Sequence, residues 1–102
     1  PAYARSAYGR LPKETRTSIL ADYPKCTYCL TAPSKQVDHI RSLKEDWQSG
    51  GWADDVVTRT DRVNSPSNLT GACPTCNASK GAKSIGNGSG QWWPPGWNSG
   101  AG

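Results

Sequence analysis

Phenylalanine and methionine are absent from this 102-residue chain, histidine occurs once, and hydrophobic residues make up only 34% of it. Such a length and composition allow one compact domain with little to fill its core. A domain so short of apolar bulk needs a staple, and four cysteines are available to form one. Also lacking are any apolar run near the ~20 residues of a bilayer crossing and an N-terminal apolar stretch of the secretory kind. A soluble chain with no membrane role is expected. Because it starts at Pro1, it is expected to be a piece of a longer protein, with any targeting segment upstream.

Acidic residues are the scarcer charge, eight Asp and Glu against twelve Lys and Arg, for a formal net charge of +4. That balance favours a polyanionic partner such as nucleic acid, although many basic domains bind none.

Residues 1–13 show no clear period and read as an arm. Residues 14–84 read as the core, and residues 85–102 as an irregular Gly/Trp/Pro tail packing on it. Within the core, Ile19, Leu20 and Tyr23 recur at helical spacing and Pro24 closes the segment, predicting a helix over 14–23. Gln36 to Ile40 has the β-branched character of a strand, with Val37 and His39 on one face and Asp38 on the other. Lys44 to Trp47 reads as a helical turn stopped by Ser49-Gly50-Gly51, Val56-Val57-Thr58 as a short strand, and Asn64-Ser65-Pro66 as a turn. Asn77 to Lys83 reads as a helix with Asn77 near its cap. The pattern is α+β. Trp92, Trp93 and Trp97 in the tail either stack on bases or cover the thin core; cover is the expectation, for Trp47 and Trp52 as well.

The cysteines fall in two C-x-x-C units, Cys26/Cys29 and Cys73/Cys76, the only internal repeat. Two thiolates separated by two residues curl around one ion, so two such units complete a closed, structural, tetrahedral zinc site. Two disulfides, in any of three connectivities, or a redox C-x-x-C are the alternatives. Redox motifs are seldom doubled in so short a chain without a thioredoxin-like βαβ pattern. A shared ion would draw the strand after Cys29 toward the segment after Cys76 and make neighbours of His39 and Asn77.

His39, whose side-chain type titrates near neutrality, is the natural general base; an isolated histidine is more often structural. Asp38 beside it is by itself no more than a strand carboxylate. The order Cys26-x-x-Cys29, Val37-Asp38-His39-Ile40, Asn68-Leu69, Cys73-x-x-Cys76-Asn77-x-x-Lys80-Gly81 resembles that of the zinc-containing HNH endonucleases over roughly Ile19 to Lys83.

The resemblance implies a small zinc-stapled ββα-metal (treble-clef-like) domain with an N-terminal helix and an irregular Trp/Pro C-terminal tail. It implies a metal-dependent DNase of low sequence specificity, acting on DNA, double-stranded by expectation, and leaving 5′-phosphate and 3′-hydroxyl ends. His39 would be the base, Asp38 and Asn77 the ligands of the catalytic divalent ion, and Asn68 the brace of the loop that orients the histidine. Asn77 stands where many relatives have histidine, which makes this an H-N-N version. A carboxylate and an amide oxygen form a hard site, suited to Mg2+ or Mn2+ rather than zinc. Arg41 and Lys80 are expected either to clamp flanking phosphates or to be solvated surface charge. The Trp-Pro-Pro tail resembles, more loosely, nuclease domains that end bacterial polymorphic toxins, which implies delivery into rival cells and a cognate immunity protein. A phage or restriction-type protein acting in the cytoplasm is the competing setting. The contrasting functional class is a non-catalytic zinc-knuckle DNA-binding module.

Overall fold

The computed structural model of the chain describes residues 2–95 and 97. Helix α1 (Lys13–Asp22) ends just before Tyr23-Pro24, where proline disfavours helical geometry in the preceding residue. Strands β1 (Gln36–His39) and β2 (Leu69–Ala72) form an antiparallel pair in which Gln36 faces Ala72 and His39 faces Leu69. Helices α2 (Leu43–Gln48) and α3 (Val56–Val63) lie between the strands in the chain, and α4 (Pro74–Lys80) follows β2 almost at once.

Helices α2, α3 and α4 each start on a side-chain cap. Ser42 Oγ accepts from the Glu45 N–H at the head of α2, and Asp55 Oδ1 accepts from the Thr58 N–H at the head of α3. The strand expected at Val56-Val57-Thr58 is therefore a helix: the Asp55 cap outweighs the β-branched composition, and Val63 is the residue that this helix buries. At α4 the cap is Cys73, whose Sγ accepts from the Cys76 N–H, with Pro74 in the first turn. Asn77 thus sits inside the helix rather than at its cap, and the helix stops at Gly81, which has a positive φ of 58°.

β2 is buried at all four positions. Helix α1 comes so close to it that a Cβ on Gly71 would stand 2.7 Å from the Tyr23 carbonyl oxygen, which only glycine permits. Two small cores result, one at each end of the strand pair. One contains Cys26, Tyr28, Ala72, Cys73, Cys76 and Trp92; the other contains Tyr8, Leu43 and Val63, with Trp47 packed against it. Both the arm and the tail therefore contribute core residues. Trp92 is buried, bridges to Ile85 and donates from its indole to Ser79 Oγ, while its ring meets Tyr28 edge-on. Trp97 packs on the same core, whereas Trp93 and Trp52 are exposed, so neither gives the cover expected of it. Gly96 and residues 98–102 of the expected tail lie outside the described residues. Among the described residues no helix is long and apolar enough to cross a membrane.

Candidate functional site

The first C-x-x-C unit forms a tight turn in which the Leu30 N–H bonds the Cys26 carbonyl and Leu30 takes a positive φ of 60°. Backbone N–H groups approach the sulfurs: Tyr28 to Cys26 Sγ at 3.4 Å and Ala32 to Cys29 Sγ at 3.5 Å. The second unit is the capped first turn of α4. No disulfide joins the four cysteines. Their sulfurs all lie within 4.8 Å of one another, with Cys29 and Cys73 4.0 Å apart. Tetrahedral zinc with bonds of ~2.3 Å places its sulfurs about 3.8 Å apart, so the quartet is positioned to hold a metal ion and is compatible with structural zinc. Hydrogen bonds, that of the Thr31 hydroxyl foremost, draw the Cys29 thiol down to about 6, whereas burial pushes the Cys76 thiol up. A cation at the centre would stabilise all four thiolates together.

The strand register carries this geometry to the neighbouring side chains. Asn77, one turn into α4, lies beside β1 and donates its amide hydrogen to Gln36 Oε1 at 2.6 Å. One turn later Lys80 is only 1% exposed; its ammonium lies 3.2 Å from both carboxylate oxygens of Asp38 and donates to the His39 carbonyl at 2.8 Å. Asp38, 6% exposed, also accepts a hydrogen bond from the Tyr28 hydroxyl. Burial, reinforced by this carboxylate, raises the pKa of that hydroxyl. The phosphate-clamping role expected of Lys80 does not fit, because its charge is spent inside the protein on Asp38.

Arg41 does not fit that role either. Its guanidinium bonds Asp46 Oδ1 at 2.8 Å and Glu45 at 3.1 Å, on a wall that His39 does not share. Asp46, 2% exposed, gathers Arg41, Arg62 and the Tyr8 hydroxyl. A Cβ on Gly51 would come within 2.5 Å of its carboxylate, which keeps that position glycine.

His39 ends β1 with its Nε2 2.8 Å from Asn64 Oδ1, directly after α3. An amide oxygen only accepts, so Nε2 carries the hydrogen and Nδ1 the lone pair. Burial lowers the pKa of the imidazole and outweighs the opposing pull of Asn64 and Asp38. Burial thus favours the neutral ring, whose Nδ1 lone pair can accept a proton. The sequence marks Asn64 only as part of a turn; nothing local announces a partner 25 residues away.

Asn68 ties the chain just beyond His39. Its Oδ1 accepts from the Arg41 N–H at 2.8 Å, and its amide donates to the Val63 and Arg41 carbonyls at 2.8 and 3.2 Å. The structure therefore brings Asp38, His39 and Asn77 to one cavity of about 480 Å³, with Asn68 bracing the loop behind it. Among the described residues the cysteines form the only cluster of three or more His, Cys, Asp or Glu suited to a metal, so this cavity holds no such cluster. No protein-family model, curated protein or solved structure matches this chain.

Proposed function

We propose that this chain is a metal-dependent endonuclease of the HNH type, a zinc-stapled ββα-metal domain hydrolysing DNA phosphodiester bonds with low sequence specificity. The observation that carries the reading is a half-buried neutral imidazole, locked in one tautomer by Asn64, opening on the cavity that Asp38 and Asn77 also line. The order of two antiparallel strands and a helix that starts on a cysteine pair supports the ββα-metal and treble-clef part of it.

In this reading His39 Nδ1 takes a proton from the attacking water, and the Asn64 oxygen holds the Nε2–H through the transfer, stabilising the imidazolium that forms. Asn68 keeps the following loop from relaxing and so fixes the direction of the ring. Oxygens of Asp38 and Asn77 would hold a divalent ion, Mg2+ or Mn2+, which when bound supplies charge stabilisation for the phosphorane-like transition state. Lys80 shares the Asp38 carboxylate, so this donor set fits a weakly held, water-rich ion rather than a closed cage.

The same ion pair favours a second reading, a zinc-stabilised DNA-binding module without catalysis, because the expected ligand carboxylate is already neutralised from within. Plasmid digestion with Mg2+, Mn2+, Zn2+ or EDTA separates the two. The nuclease reading expects divalent-dependent nicking that falls about 10²- to 10⁴-fold in His39→Ala, with the thermal melt unchanged. Equal nicking by His39→Ala would remove the assigned base, and DNA retention without nicking under every metal would leave the binding module.

A further inference from the structure

Resting on the nuclease reading, we propose that the N-terminal arm and α1 form a phosphate-gripping half of the cleft. In it Arg5, Arg10 and Arg16 bind the phosphodiester backbone of a polynucleotide strand flanking the bond presented to His39. The three arginines line the same 480 Å³ cavity as His39 and Asn77. Arg5 and His39 also line an adjoining cavity of about 240 Å³, which Tyr3 and Lys44 border. His39 therefore stands where two concavities meet, the position of a scissile phosphate on a strand that continues to both sides.

Charge separates these arginines from the others in the chain. Arg41 and Arg62 are tied to carboxylates, and Arg59 is spent on the Ala7 and Asp54 carbonyls. Among the described residues, no carboxylate lies within ion-pair distance of Arg5, Arg10 or Arg16, and the one hydrogen bond from their side chains runs from Arg5 to the Tyr8 carbonyl at 3.3 Å. The only acidic side chain lining either concavity, Asp38, is already matched by Lys80. Three unmatched guanidiniums around one hollow, each able to present a two-pronged donor fork, suit the nonbridging oxygens of successive phosphates.

The arm that carries them is anchored. Tyr8 is buried with its hydroxyl on Asp46 at 2.7 Å, the Gly9 N–H bonds Thr60 Oγ1 at 2.8 Å, and Arg59 Nε bonds the Ala7 carbonyl at 2.7 Å. Arg16 rides on α1, which Ile19 and the close approach at Gly71 hold against β2. The cationic wall is preorganised, so little ordering entropy opposes binding.

The test is fluorescence anisotropy of a labelled duplex of about 20 base pairs, without added divalent ion, over roughly 50 to 300 mM salt. Arg10→Gln/Arg16→Gln is compared with Lys25→Gln/Lys35→Gln, which removes the same charge from exposed residues that line neither cavity. The arginine pair should flatten the slope of log K against log salt by about 1.8 and each single arginine variant by about 0.9, with the lysine pair near the parent. Equal slopes and affinities for the two double variants would overturn the inference, and would do so even if the parent nicks plasmid DNA. An arginine-dependent slope in a parent that never nicks DNA would uphold the phosphate site and overturn the nuclease reading instead. A mononucleotide binding as tightly as the duplex, with no dependence on Arg10 and Arg16, would also overturn it.

Discussion

The two ends of the β1–β2 pair are closed by different chemistry. At the Gln36–Ala72 end stand four cysteines with Tyr28 and Trp92; at the His39–Leu69 end a small cluster of Tyr8, Leu43 and Val63 surrounds the buried carboxylate of Asp46. Neither end has enough apolar surface to hold by burial alone, so each is gathered around a polar centre that binds several segments at once. The centres differ in what they need. The thiols are positioned for an ion from outside, whereas Asp46 finds its partners within the chain, in Arg41, Arg62 and Tyr8. An end that depends on an added ion should fail altogether without it. An end closed by internal partners should weaken by degrees and with pH.

Breaking the first end should have the largest effect. Cys73→Ser, or prolonged chelation, should abolish the cooperative thermal transition seen by circular dichroism, and the parent should carry about one zinc per chain. Structural zinc contributes roughly 10–16 kcal/mol in small metallodomains, more than most domains of this size have in total. A variant that still melts cooperatively, near the parent's temperature, would show that this end stands without an ion.

At the other end Asp46→Asn should cost on the order of 2 kcal/mol in urea unfolding near neutral pH. Burial alone would raise the Asp46 carboxyl, but hydrogen bonds from Arg62, Tyr8 and Arg41 outweigh it and hold it at about 2, against an ordinary value of 3.8. With the folded value depressed, the contribution is complete above about pH 4 and is lost as pH falls through about 2. The parent should therefore lose stability over that window and the variant much less. Equal acid sensitivity would mean that other carboxylates dominate.

The smallest effect tests whether the cysteine end communicates with the candidate site. Tyr28→Phe deletes the hydroxyl that bonds Asp38 but leaves Lys80 in place, so about 1 kcal/mol of stability should be lost. A loss as large as that of Asp46→Asn would show that Tyr28, rather than Lys80, is the main support of this carboxylate.

Much of the local structure was legible because its signals are local. Pro24 ended α1, Ser49-Gly50-Gly51 ended α2, and two of the tail tryptophans, Trp92 and Trp97, returned to a core that lacks other large groups. Val56-Val57-Thr58 misled because β-branching favours a strand only where a neighbouring strand is available; here the Asp55 cap and burial at Val63 selected a helix. Long cations are usually solvated, which is why the sequence suggests surface charge or phosphate clamps at Lys80 and Arg41, yet each meets a carboxylate across the fold or about one turn on.

Two C-x-x-C units were enough for the sequence to determine that paired thiols are available to hold a metal ion, since spacing within a single turn dictates which atoms of each pair can converge. The tertiary structure alone decided which charges would be spent inside and which left facing a cavity. Lys80 reaches Asp38, Asn64 reaches His39, and Arg5, Arg10 and Arg16 border the histidine's cavity only after the strands have paired in register and the arm has docked. Contacts between residues tens of positions apart depend on the packing of the whole chain, and no local pattern encodes them.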